Sequence, residues 1–135
     1  MKKLIKKIFV AKDIKSNFNS ENSKIVLCYG HFNILHPGHF RYFKYARKFG
    51  EKLYILLQGD EEINKDLRDH YFSEKQRAEA LLEIEKIDGI VLINNNLLET
   101  IKLLQADFLV LGKEHENSKS ENIINAVDGL KNIGG

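Results

Sequence analysis

From Lys24 onward, short apolar runs alternate with stretches of helical periodicity. The unbroken β-rich runs Ile25–Tyr29, Leu53–Gln58, Gly89–Ile93 and Phe108–Leu111 have the pattern of strands covered on both faces, as in a parallel sheet. Helices are predicted between them. Over Gly38–Phe49, the residues Phe40, Phe43 and Ala46 share one face, and Gly50 stands at the stop position. Ser73-Glu74-Lys75-Gln76 is a capping box opening a helix to about Ile84. Leu97–Gln105 and Glu121–Ile133 supply two more. Such alternation predicts an α/β protein: a doubly wound parallel sheet with right-handed crossovers.

Before Lys24 the pattern changes. Leu4, Ile5, Ile8 and Phe9 fall on one helical face interrupted by Lys6 and Lys7, which predicts a short helix packed on the domain. The lysines and the lack of a small-residue cleavage site argue against a signal peptide, although such a face could also touch a membrane surface. Residues 15–23 are Asn- and Ser-rich and read as a loop. The expected organisation is therefore a leader and loop over 1–23, followed by one domain over 24–135. Ile133-Gly134-Gly135 reads as a helix C-cap that ordinarily feeds another strand, so a sheet lacking its last strand is expected.

Composition narrows the function. At 135 residues the chain makes one domain. Its net charge of +2 gives a nucleic-acid role no bulk support. No apolar stretch is long enough to span a bilayer. The single cysteine, Cys28, lies in the most apolar run and has no internal disulfide partner; a reducing, cytoplasmic setting is expected.

Chemistry concentrates in Tyr29-Gly30-His31-Phe32-Asn33-Ile34-Leu35-His36-Pro37-Gly38-His39. A strand runs into a glycine turn, two histidines follow as His-x-Gly-His, and an amphipathic helix begins. In an open parallel sheet, ligands sit beyond the carboxyl ends of the strands. Gly30 is expected to turn the backbone, and the exposed N–H groups at the Pro37-Gly38 helix start to favour a phosphate. His36 and His39 would add ring donors where negative charge develops. As a zinc site the pattern is poor, because Cys28 lies upstream and no carboxylate is close in sequence. A metal-dependent hydrolase built on His31, His36 and His39 would instead predict stoichiometric zinc.

The run Gly30–His39 resembles the G-x-F-D-x-x-H-x-G-H signature of cytidylyltransferase-like nucleotidyltransferases, a superfamily that includes glycerol-3-phosphate cytidylyltransferase and the adenylyltransferase forming ADP-heptose. The phenylalanine, both histidines and both glycines match. Leu109-Val110-Leu111-Gly112-Lys113-Glu114 is similar to the family's fourth strand and the loop against the nucleotide, and Arg77 matches an arginine the family carries. Asn33 stands where many members have Asp, as in a sub-group with C-Y-G-H-F-N in which the domain precedes a sugar-kinase-like domain.

The resemblance implies a Rossmann-like fold and transfer of a nucleoside monophosphate from CTP or ATP to a sugar phosphate or polyol phosphate, with release of pyrophosphate. It implies His36, His39 and Arg77 as catalytic residues. Gly30, His31, Phe32, Asn33, Gly38, Gly112, Lys113 and Glu114 would bind nucleotide, with Lys44 on the first helix and Lys65 and Arg68 in the loop-like stretch after the second strand as further phosphate ligands. Mg²⁺ would be held through the nucleotide phosphates, with no side-chain metal ligands. Many relatives pair as homodimers, which the apolar face of the first helix permits. The family's C-terminal I-S-T-T motif would fall about 15–20 residues past Gly135, at usual strand and loop lengths. Its absence from this sequence leaves the alternative of a nucleotide-binding module without activity.

Overall fold

The computed structural model describes residues 7–10, 23–67, 71–94 and 97–111. Five parallel strands form one sheet: β1 (Lys7–Val10), β2 (Ile25–Gly30), β3 (Lys52–Gln58), β4 (Gly89–Ile93) and β5 (Phe108–Val110), in the order β1-β4-β3-β2-β5. The helices are α1 (Pro37–Ala46), continued by a 3₁₀ turn over Arg47–Phe49, then α2 (Asp60–Leu67), α3 (Glu74–Leu82) and α4 (Leu97–Leu104). The expected α/β, Rossmann-like sheet is present, and its four predicted strands lie within a residue or two of where their apolar runs place them.

Two expectations are corrected. Lys7–Val10 is not a helix: it is an edge strand paired in parallel with β4, with Lys7 opposite Gly89 and Val10 opposite Leu92. A four-position helical face is too short to hold a helix alone, whereas Ile8, Phe9 and Val10 suit a strand and β4 offers an open edge. The stretch after β3, read as loop-like, begins with α2. Asp60, Glu61 and Glu62 stand at its positive end and Ile63 is fully buried. The helix predicted over Glu121–Ile133 lies outside the described residues.

Both faces of the sheet are covered. On one side Val26, Cys28, Leu53, Ile55, Leu57 and Ile90 pack with Phe43 and Ala46 of α1 and with Ala78 and Leu81 of α3. On the other, Ile25, Leu27, Tyr29, Leu56, Val91 and Ile93 pack with Leu97, Ile101 and Leu104 of α4. Each fully buried side chain of this size contributes about 1.5–3 kcal/mol of transfer free energy, so the two clusters fix which strand faces which helix.

The topology positions the site. From β2 the chain steps through β3 to β4, then α4 carries it back across to β5 on the far side of β2. The switch point therefore lies between β2 and β5, where doubly wound sheets bind ligands. Pairing of these strands runs only from Val26↔Phe108 to Cys28↔Val110. Beyond it Tyr42 Oη takes over, accepting the Tyr29 N–H at 3.3 Å and donating to Val110 O. One tyrosine of α1 thus satisfies the backbone where the strands part.

Candidate active site

The loop from β2 to α1 is anchored by Phe32. Its ring is 3% exposed and packs edge-on to His39 at 5.3 Å, against Phe43 at 5.3 Å and Tyr42 at 6.4 Å. Expected among the nucleotide ligands, Phe32 instead lies beneath the site and supports His39. Gly30 has a different reason from the turn expected of it. It ends β2 in regular strand, and a Cβ there would stand 3.1 Å from the Phe32 ring. The left-handed backbone falls two residues later, on Phe32 itself (φ 46°), a strained conformation for a bulky residue that this packing holds in place.

His36 and His39 form a capping box. His36 is the N-cap of α1, and its Nδ1 accepts the Gly38 N–H at 3.0 Å; His39 Nδ1 accepts the His36 N–H at 3.2 Å. His39 N–H donates to His36 O at 2.9 Å, and Pro37 has no N–H. This corrects the expected phosphate cradle of exposed backbone amides, because those of residues 36, 38 and 39 are engaged within the cap. What the helix end presents is imidazole. With each Nδ1 accepting, the neutral rings carry their proton on Nε2, and the ring centroids are 4.0 Å apart. Gly38 is required by close approach, since a Cβ there would lie 2.7 Å from His36 Cε1.

His31 and Asn33 shape the loop. His31 Nδ1 accepts the Asn33 N–H at 3.1 Å, and Asn33 Oδ1 accepts the Phe72 N–H at 2.7 Å. The Asn33 side chain thus ties this loop to the segment entering α3.

Arg77 is the largest buried side chain among the described residues, 2% exposed. Its Nε donates to Phe72 O at 2.7 Å, Nη1 to His31 O at 3.1 Å and to Gln58 O, and Nη2 meets Asp60 Oδ1 at 3.0 Å. Burial lowers its pKa from the ordinary arginine range, and the neighbouring Asp60 raises it back in part. The capping box that places it is present as predicted, with Ser73 Oγ accepting the Gln76 N–H at 3.2 Å. Expected to face phosphate, Arg77 has its fork taken up inside the protein, where it holds the histidine loop, the end of β3 and the start of α3 together.

Of the other basic positions, Lys44 is not brought to the histidines. Lys44 is exposed and lines a groove of about 330 Å³ with Phe40, Arg41, Phe43 and Ile84–Lys86, beside the amino-terminal end of β4. Lys65 lies on α2 and not in a loop, and its side chain is outside the described residues, as are Arg68, Gly112, Lys113 and Glu114. Three residues at this edge were missed by sequence reasoning: Tyr42, Gln58 and Asp60. Asp60 had a signal, because Gly59-Asp60-Glu61-Glu62 after a strand reads as a helix start. Asp60 and Glu74 cap each other: Glu74 N–H donates to Asp60 Oδ1 at 2.7 Å and Asp60 N–H to Glu74 Oε1 at 3.1 Å. Among the described residues, no group of three His, Cys, Asp or Glu side chains is placed to hold a metal ion, and no helix is long and apolar enough to cross a membrane.

A doubly wound sheet with a histidine-capped helix at its switch point defines an α/β protein of the nucleotide-binding type. The comparisons sharpen that class: a model of the cytidylyltransferase-like family matches residues 27–132, and the chain belongs to that family. An FAD synthase from Methanohalophilus mahii is 34% identical over 97 residues, covering 71% of this chain and 68% of that protein. One from Methanobrevibacter smithii is 33% identical over 115 residues, 80% of this chain and 74% of its own. The bifunctional protein HldE of Magnetococcus marinus is 29% identical over 112 residues, 81% of this chain but 23% of that protein. In fold, a lipopolysaccharide core biosynthesis protein from Thermoplasma volcanium superposes with a TM-score of 0.70 at 23% identity, over 84% of this chain and 90% of that one. The family and these relatives place the chain among nucleotidyltransferases.

Proposed function

We propose that the chain transfers a nucleoside monophosphate from CTP or ATP to the phosphate of a sugar or polyol, releasing pyrophosphate in the cytoplasm. The observation that carries this reading is the His36–His39 pair, two imidazoles 4.0 Å apart with both Nδ1 atoms engaged by backbone N–H groups at the start of α1. An acceptor phosphate oxygen attacks the α-phosphorus in line; the new P–O bond forms as the bond to the β-phosphate oxygen breaks, and pyrophosphate leaves with that oxygen's electron pair. No covalent enzyme intermediate is required, since positioning and charge stabilisation dominate such transfers. His36 and His39 donate through Nε2 to oxygens that gain charge in the transition state, while Phe32 keeps His39 oriented from below.

Among the described residues no group of three His, Cys, Asp or Glu side chains is placed to hold a cation, so Mg²⁺ would enter the site with the nucleotide triphosphate. When bound that way, Mg²⁺ neutralises phosphate charge.

The test is pyrophosphate release with CTP, ATP, GTP and UTP, each with Mg²⁺ and an acceptor phosphate. Release that depends on both substrates and is lost in His39→Ala supports the proposal; release independent of His39 overturns it. A second reading, nucleotide binding without turnover, draws on Arg77, whose guanidinium is engaged within the protein. It predicts a nucleotide-dependent rise in thermal stability with no pyrophosphate.

A further inference from the structure

Gln58 ends β3 at the carboxyl edge of the sheet, and it is a polar side chain only 8% exposed. Its Nε2 donates to Tyr29 Oη at 2.8 Å, and its Oε1 is buried with no hydrogen-bond partner. Buried polar atoms are rarely left this way, and an exception asks for an explanation. The backbone there is fixed: Arg77 Nη1 holds both Gln58 O and His31 O, tying the end of β3 to the histidine loop, while the side-chain amide lies with Tyr29 on the α4 face of the sheet.

Position separates the two substrates. The switch point opens between β2 and β5, whereas Gln58 lies on the β3 side of β2. A nucleotide seated at the switch point leaves the β3 side for the second substrate. From this placement and the unpaired amide, we propose that Gln58 is a specificity-determining residue for the acceptor, hydrogen-bonding a hydroxyl group of a phosphorylated polyol or sugar. This rests on the nucleotidyl-transfer reading above.

The chemistry favours a hydroxyl. In the orientation described, Oε1 needs a donor. With the amide turned over, Tyr29 Oη would donate to Oε1 and Nε2 would need an acceptor. A hydroxyl both donates and accepts, so it satisfies either orientation; an ammonium or a carbonyl satisfies only one.

The experiment measures equilibrium binding of two acceptor probes and their hydroxyl-free counterparts to the full chain: glycerol 3-phosphate against propyl phosphate, and glucose 1-phosphate against cyclohexyl phosphate. The unaltered chain is expected to prefer at least one hydroxyl-bearing probe by about tenfold, the scale of one well-made hydrogen bond. Gln58→Met should abolish that preference while leaving CTP or ATP affinity within about twofold. If Gln58→Met does not fold, Gln58→Asn, which keeps the amide but withdraws it by one methylene, should show the same loss. An unaltered chain that does not discriminate, or a folded variant that keeps the preference, overturns the inference. Nucleotide binding and pyrophosphate release, measured on the same samples, decide the nucleotidyl-transfer reading separately.

Discussion

Asn33 Oδ1 accepts the Phe72 N–H at 2.7 Å, joining the histidine loop to the start of α3 across 39 positions of sequence. The contact uses an acceptor oxygen, which an Asp at this position would also supply. Asn33→Ala is expected to destabilise the fold by about 0.5–1.5 kcal/mol, the range of one hydrogen bond, with Asn33→Asp losing less than half as much. Urea denaturation of the three proteins decides it, and equal losses in both variants would show that the oxygen is not what matters.

The two histidines of the α1 cap should behave differently when removed. Under the proposed reaction, His39→Ala deletes a transition-state donor, and turnover should fall by at least about a hundredfold. His36→Ala removes the N-cap acceptor of Gly38 N–H as well as the proposed donor, so it should lose about 1 kcal/mol of stability in addition to activity. Steady-state rates paired with thermal melts separate the effects. A His36→Ala protein that melts with the unaltered chain would contradict the cap.

Arg77 should act on stability before it acts on rate. Arg77→Met leaves His31 O, Gln58 O and Phe72 O without their donor and Asp60 without its cation. A loss of roughly 2–5 kcal/mol is expected. Arg77→Lys keeps the charge but not the planar fork, and should recover only part of it. A direct phosphate ligand would show the opposite signature: normal denaturation with a collapsed rate.

What the sequence discloses here follows the range of the interactions. β2, β3 and β4 are unbroken apolar runs because both of their faces are buried, so they can be read directly. The capping box at Ser73 is complete within four residues, and it too is legible. β1 is not, because Lys7–Val10 becomes a strand only through pairing with β4, 82 positions away. At the site, the motif discloses which residues gather but not which atoms point outward. That Phe32 and Arg77 face inward, and that the His36 and His39 Nδ1 atoms occupy the backbone amides expected to hold phosphate, depends on contacts no local spacing encodes.

Cys28 gives a test of the core in pH terms. Burial pushes its thiol up to about 12 from the ordinary 9.0, a hydrogen bond with Tyr42 opposing the shift. A raised thiol pKa means that the folded state favours the protonated form. The stability this contributes is complete below about pH 9 and is lost as pH rises from there toward about 12. Folded protein at about pH 8 should therefore resist iodoacetamide, because both access and thiolate are lacking, and should react fully once unfolded in urea. Chemical denaturation across the alkaline range should show stability falling above pH 9, and Cys28→Ala should flatten that fall. Rapid alkylation of the native protein at neutral pH would place the thiol outside the sheet core and overturn the assignment.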